Sequence, residues 1–165
     1  MRKTPVLITL MCFVVLTAIA WAQSTQKPGL WELTSTMNWQ KSPMPGGMTM
    51  PGSAPHTMQV CLTKEMMDKY GTPPPQSRNN QCKMSNMVKK GNGMTGDWVC
   101  SGPMAGKGTV EAAWVDADHS TSKVHFMGSM QAGPNAVPVE YTIESSSVFK
   151  GADCGSVKPL PMPKE

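Results

Sequence analysis

The chain has 165 residues, with 15 Lys and Arg against 11 Asp and Glu, which gives a formal net charge of +4. A chain of this length suits one domain and is too short for two ordinary ones. The small positive charge gives no electrostatic reason to expect binding to nucleic acid. The 16 methionines and the scarcity of branched aliphatic residues predict a small, methionine-rich globular domain.

The first 22 residues are predicted to form a secretory signal peptide. Arg2 and Lys3 supply a positive start, residues 6–20 form an almost unbroken apolar run, and residues 20–22 (Ala-Trp-Ala) fit the small-x-small cleavage pattern. The run is shorter than the roughly 20 apolar residues that span a bilayer, which favours cleavage over a membrane anchor. We expect a mature chain that begins at Gln23 and carries a net charge of +2 once the two leader cations are removed. It would lie in the periplasm or outside the cell, with no transmembrane segment.

Alternation of apolar and polar residues predicts about seven β-strands. The alternating segments are residues 31–39, 58–62, 82–89, 94–100, 109–114, 123–130 and 139–149. Thr63 is predicted to cap a short helix over residues 64–70, and Gly91-Asn92-Gly93 is typical of a hairpin turn. The predicted fold is mainly β, an antiparallel meander that forms either a barrel-like (lipocalin-like) sheet or a sandwich. Residues 23–154 would form this single domain, followed by a flexible tail over residues 155–165.

Four cysteines remain after the leader is removed: Cys61, Cys82, Cys100 and Cys154. Their gaps of 21, 18 and 54 residues do not match the closely paired cysteines of zinc sites, so two disulfides are predicted. We favour Cys61–Cys82 with Cys100–Cys154, because the first bond would close the segment that holds the helix. The alternative joins Cys82 to Cys100, which lie almost symmetrically about the hairpin turn, and leaves Cys61 with Cys154.

Several short motifs occur together in a characteristic order. Residues 28–32 (Pro-Gly-Leu-Trp-Glu) follow the leader, and a Met/Pro/Gly loop comes next. The later motifs are residues 59–63 (Gln-Val-Cys-Leu-Thr), 82–83 (Cys-Lys), 100–102 (Cys-Ser-Gly) and 151–154 (Gly-Ala-Asp-Cys). Over about residues 27–154 the sequence thereby resembles the bacterial domain-of-unknown-function family numbered 3617. The resemblance implies a small exported protein of the periplasm and no known activity, so no catalytic residue is carried over.

The loop that follows the first predicted strand contains candidate ligands for a soft metal. The candidate ligands are Met44, Met48, Met50, His56 and Met58. Thioethers and imidazole suit Cu(I), and two adjacent glycines at positions 46 and 47 would let the loop fold back. The competing interpretation is that methionine serves here as a flexible hydrophobic residue, as it does along the whole chain. Copper handling is therefore the alternative function, and no other cofactor is expected.

Two further patterns are attributed to ordinary structure. Gly91, Gly93 and Gly96 have the spacing of a dinucleotide fingerprint, but they lie on the predicted hairpin and not between a strand and a helix. Nothing near His119 or His125 in sequence forms a nucleophile–base–acid set, and no nucleophile elbow is present. A hydrolase whose site assembles only in space is the third hypothesis.

The leading hypothesis is a non-enzymatic domain that binds a small apolar ligand or a periplasmic protein partner. The ligand would lie between the sheet faces or at the mouth beside the Met/Pro loop. Four tryptophans are expected to form the core or to line this pocket: Trp31, Trp39, Trp98 and Trp114.

Overall fold

The computed structural model describes residues 27–44, 53–70, 73 and 81–162. Its strands are β1 (Gly29–Lys41), β2 (His56–Leu62), β3 (Cys82–Lys90), β4 (Gly93–Cys100), β5 (Met104–Trp114), β6 (His119–Ala132) and β7 (Asn135–Gly151). The helix α1 (Lys64–Tyr70) follows β2. Within this described part, no helix is both long enough and apolar enough to cross a bilayer.

The seven strands form one antiparallel sheet in the order β2-β1-β7-β6-β5-β4-β3. The predicted mainly-β class, the strand number and the short helix are confirmed. Each predicted strand is present, and most extend further than the alternation indicated because cross-strand pairing continues into polar and glycine-containing ends. The hydrogen-bonded sheet does not close, since β2 and β3 each pair with one neighbour and form the two edges.

Helix α1 begins at the predicted position because Thr63 caps it. The Thr63 hydroxyl accepts a hydrogen bond from the Met66 amide at 3.2 Å, and the Thr63 carbonyl accepts one from the Met67 amide at 3.1 Å. This satisfies amide groups that lack a partner within the first helical turn. Met66, Met67 and Tyr70 are buried, so the helix contributes one apolar side to the core.

The sheet has an inner face that carries the buried apolar side chains and an outer face that carries polar ones. On the inner face, cross-strand register aligns Trp39, Tyr141, Phe126, Gly108 and Trp98 in one row. Phe126 stacks on Tyr141 with ring centroids 4.9 Å apart, and Trp39 lies 5.2 Å from Tyr141. We call this packed row, together with the valines beside it, the aromatic cluster. Burial raises the pKa of the Tyr141 phenol.

A second apolar cluster lies near the start of β1. It consists of Trp31, Val60, Leu62, Met66 and Met67, with Phe149 packed against it. The Trp31 ring meets Phe149 edge-on at 5.5 Å, and its indole N–H donates to the Lys27 carbonyl at 3.0 Å. Trp31 is fully buried, which agrees with its predicted place in the core. We call this group the Trp31 cluster.

Between these clusters the inner face carries serines. Cross-strand register places Ser35, Ser145 and Ser122 in one row and Ser147 with Ser120 in the next. Ser35 and Ser145 share a hydrogen bond of 2.9 Å between their hydroxyls. We refer to these five residues as the serine belt. Their small side chains separate the two apolar clusters along the strands.

Both disulfides hold an edge strand to the rest of the domain. Cys61 of β2 bonds to Cys154, and Cys82 of β3 bonds to Cys100. The favoured pairing of Cys61 with Cys82 was therefore wrong, because those residues lie on opposite edges of the sheet. The hairpin places Cys82 directly opposite Cys100, while β1 pairs with both β2 and β7 and so brings Cys61 near the residues after β7.

The segment after Cys154 returns to the edge of β2. Pro159 forms a parallel bridge with Cys61, and the Leu160 amide donates to the Cys61 carbonyl at 3.1 Å. Leu160 and Met162 pack against the Trp31 cluster. Residues 157–162, which were predicted to belong to a loose tail, are thus held by one backbone bond and two apolar side chains. The sequence signal was weak because two prolines interrupt this stretch.

Candidate binding groove

The outer face of the sheet contains an open groove of about 620 Å³ that crosses six strands. Most of its lining residues occupy those alternate strand positions whose side chains point to the outer face. The hydroxyl-bearing side chains of this outer-face lining are Thr34, Thr36, Thr95, Thr121 and Ser146. Most residues of the groove are thus polar, but methyl and methylene groups form the larger part of its accessible surface.

Two neighbouring cross-strand rows form the groove. One row runs from Thr36 through Glu144, Lys123 and Glu111 to Thr95. The Lys123 ammonium lies 3.0 Å from the Glu144 carboxylate, and both side chains are more than half exposed. An acid, a base and an acid thus stand side by side with a threonine at each end, so this row offers charges of both signs to a ligand.

The second row has small side chains and forms the floor of the groove. It runs from Thr34 through Ser146, Thr121 and Ala113 to Gly93. A Cβ atom at Gly93 would lie 2.7 Å from the Ala112 carbonyl oxygen, so a larger residue there would need the backbone to move. Small residues at these positions keep the groove open between the charged row and the neighbouring strands. Its described lining contains no histidine and no cysteine.

The two histidines of β6, His119 and His125, lie outside the groove and pair with carboxylates. His125 approaches Glu140 at 3.3 Å, and Lys41 approaches the other oxygen of the same carboxylate at 2.9 Å. Hydrogen bonds from Lys41 and then His125 lower the pKa of Glu140. This cluster combines a base, an acid and a cation, but no nucleophilic side chain is hydrogen-bonded to the His125 ring in the described chain.

His119 is the first residue of β6 and follows the turn that contains Asp116. Its ring lies 2.9 Å from both oxygens of Asp116, and the Asp116 carboxylate also accepts the Asp118 amide at 2.7 Å. The hydrogen bond from the Asp118 amide and, second, the one with His119 lower the pKa of Asp116. These contacts fix a tight turn, which agrees with the interpretation of this segment as turn structure.

The predicted copper ligands are only partly within the described residues. His56 and Met58 lie two residues apart on the exposed half of β2, and Met44 is exposed beyond β1. Met48 and Met50 lie outside the described residues. Among the residues that are described, no group of three or more His, Cys, Asp and Glu could hold a metal ion. Copper binding through thioethers stays a prediction, to be tested by Cu(I) titration.

Of the four tryptophans, Trp31 and Trp98 are buried in the two apolar clusters. Trp39 is partly buried against the aromatic cluster, and none of the four lines the outer groove. Sequence reasoning did not identify this groove because its residues have the polar character expected of any solvated strand face. The signal that could have found it is the recurrence of hydroxyl residues at outward positions of neighbouring strands, such as Thr34, Thr36 and Thr121.

Comparison with known families gives one match. A family model described as "Protein of unknown function (DUF3617)" matches residues 26–154. No curated protein and no solved structure matches the sequence. The match covers every strand of the sheet and both disulfides.

Proposed function

The chain belongs to the DUF3617 family of proteins of unknown function, and from that premise we propose that it is an exported, non-enzymatic binding domain. Its ligand would be an extended polypeptide segment of a protein partner, held in the outer groove. The observation that carries the proposal is a groove that crosses six strands and is lined by hydroxyls and by charges of both signs.

The dimensions of the groove suit an extended chain. Six neighbouring strands about 4.8 Å apart span about 24 Å, which is the length of about seven residues in extended conformation. Backbone amides and carbonyls of such a segment need hydrogen-bond partners, and the threonine and serine hydroxyls can both donate and accept. The Lys123–Glu144 pair and Glu111 would then select for charged side chains of the segment.

The same geometry favours a protein partner over a small apolar ligand. Sites for apolar ligands are lined mainly by hydrophobic and aromatic side chains. Here the large aromatic residues are on the inner face, where Trp98, Phe126 and Tyr141 are at most 5% exposed and pack on one another. The outer groove is open to solvent and has no aromatic side chain among the described residues that line it, although apolar atoms make up most of its accessible surface.

The exported location is supported by the cross-links. Two disulfides within one small domain are typical of oxidising compartments such as the periplasm or the exterior of the cell. The predicted leader over residues 1–22 is the route by which the chain would reach that compartment.

The experiment is a selection of peptides on the mature protein. A phage-displayed library of random linear heptapeptides is the probe, and peptides enriched on the wild type are measured against Thr121→Trp and Thr109→Trp. Thr121 lies on the groove floor, whereas Thr109 is an exposed threonine of the same face outside the groove. We expect Thr121→Trp to weaken binding at least tenfold and Thr109→Trp to leave it unchanged.

Failure to enrich any peptide would overturn the proposal. So would peptides that bind Thr121→Trp as tightly as the wild type, because their site would then lie elsewhere. Circular dichroism spectra that match the wild type show that both variants retain the sheet.

A further inference from the structure

A second surface on the outer face combines lysines with exposed apolar side chains. Cross-strand register aligns Lys83, Val99, Lys107 and Met127 in one row over β3, β4, β5 and β6. Met127 is 56% and Val99 36% exposed. Contact with water is unfavourable for both of these apolar side chains. We call this row the basic-apolar stripe. One row of residues separates it from the groove.

The two lysines of the stripe have no acidic neighbour across the strands. Lys107 stands between Val99 and Met127, and Lys83 stands beside Val99. The acid that ends the row, Glu140, is already engaged by Lys41 at 2.9 Å and by His125. The other acid near the stripe on this face, Asp97, lies one row away and accepts a hydrogen bond from Asn86 at 2.6 Å, so neither lysine has a carboxylate directly opposite it.

Among the residues that the structure describes, the end of the sheet beyond the stripe contains no Asp or Glu. Residues 101–107, which form the β4–β5 connection and the start of β5, include Ser, Gly, Pro, Met, Ala and a single Lys. Residues 127–138, which form the β6–β7 hairpin, likewise contain no Asp or Glu and include exposed Ala132, Pro134 and Ala136. An anionic surface that approaches this end would meet small apolar residues and lysine.

We propose that the basic-apolar stripe docks the domain on an anionic lipid bilayer surface. The lysines would lie at the level of the phosphate groups, and Met127 and Val99 would enter the boundary between headgroups and acyl chains. Charge complementarity identifies the occupant, and the nearly linear row across four strands suits a flat surface more than a narrow protein cleft. This docking is independent of the peptide groove and would hold that groove beside the membrane.

The test is co-sedimentation of the full mature protein with vesicles. Vesicles of phosphatidylcholine and phosphatidylglycerol in equal amounts should bind the protein at low salt, and pure phosphatidylcholine vesicles should bind it much less. Lys107→Ser should weaken binding about fivefold, since one lysine near an anionic surface contributes about that factor. Lys158→Ser removes an exposed lysine elsewhere on the chain and should have no effect.

A second matched pair of variants tests the apolar residues of the stripe. Met127→Ser should weaken binding several-fold, whereas Met58→Ser, at a 42% exposed methionine of β2, should not. All four positions are exposed, so each variant is expected to fold. The peptide selected for the groove should bind Lys107→Ser as it binds the wild type, which separates this proposal from the preceding one.

Three outcomes would overturn the inference. The first is equal binding to neutral and anionic vesicles, and the second is an equal loss for Lys107→Ser and Lys158→Ser. The third is binding to soluble polyglutamate without binding to anionic vesicles, which would mean that the stripe serves an acidic protein.

Discussion

Glu140 shows how one carboxylate can be shared by two cations on a solvated strand. Lys41 comes from the neighbouring strand β1 and His125 from β6 on the other side, so the three side chains cross three strands. The lowered pKa of Glu140 means that the folded protein favours the ionised carboxylate. Its contribution to stability is therefore present at neutral pH and is lost as the pH falls through the pKa of the folded state.

The titration of this carboxylate gives a direct prediction. In Lys41→Met the pKa of Glu140, measured by NMR on its side-chain carbon, should rise towards the ordinary glutamate value. In His125→Gln it should rise less, because the Lys41 hydrogen bond is the larger cause. Glu140→Gln should in turn flatten the dependence of Tm on pH in the acid range below the usual glutamate pKa. A Glu140 pKa that does not respond to Lys41→Met would contradict this account.

At the scale of elements, the two disulfides compensate for the two open edges. An edge strand has one hydrogen-bonded neighbour and is easier to detach than a central strand. Here β2 and β3 are each cross-linked, through Cys61 and Cys82, to a residue in or next to the body of the sheet. The bonds thus secure those strands whose pairing is weakest.

The two bonds should contribute unequally to stability. Cys61–Cys154 joins residues 93 positions apart and Cys82–Cys100 residues 18 apart, and longer closed loops restrict the unfolded chain more. Removing both cysteines of the long loop should cost about 4–5 kcal/mol of unfolding free energy, and removing those of the short loop about 3 kcal/mol. Urea unfolding of the two double-alanine variants measures the difference. Equal losses, or a larger loss for the short loop, would argue against the loop-entropy explanation.

The sequence was informative where structure is local. Helix α1 matches its predicted bounds of residues 64–70, because one capping threonine and three apolar residues on one side determine it. The β3–β4 hairpin follows equally from its Gly-Asn-Gly turn. The pairing of β1 with β7 has no local signal, since the two strands are separated by more than 90 residues. The disulfide of Cys61 depends on that long-range contact. So does the groove, because it combines residues of six strands.

At the scale of the whole molecule, one seven-stranded sheet with one short helix has little core for its length. A domain with so few branched aliphatic residues gains stability from cross-links that restrict the unfolded chain. That dependence agrees with synthesis for an oxidising compartment, where such bonds persist. The proposed export and the proposed membrane docking would place the domain on the outer side of the membrane that it has crossed.

The intact mass of the protein recovered from an exporting host tests this view. We expect the chain to begin at Gln23, to be lighter by four hydrogens than the reduced form, and to take up no iodoacetamide without prior reduction. A product that retains residues 1–22 would contradict cleavage of the leader. Alkylation of four thiols in the native protein would contradict the disulfide framework.

The serine belt has a consequence for how this sequence can change over time. The serine belt separates the Trp31 cluster from the aromatic cluster. We therefore expect that a change of side-chain volume in one cluster does not alter the packing of the other. Substitutions in the two halves should then have additive energetic effects. Each cluster can then accept substitutions without compensating changes in the other. We expect the sequences of family members to vary independently in the two clusters.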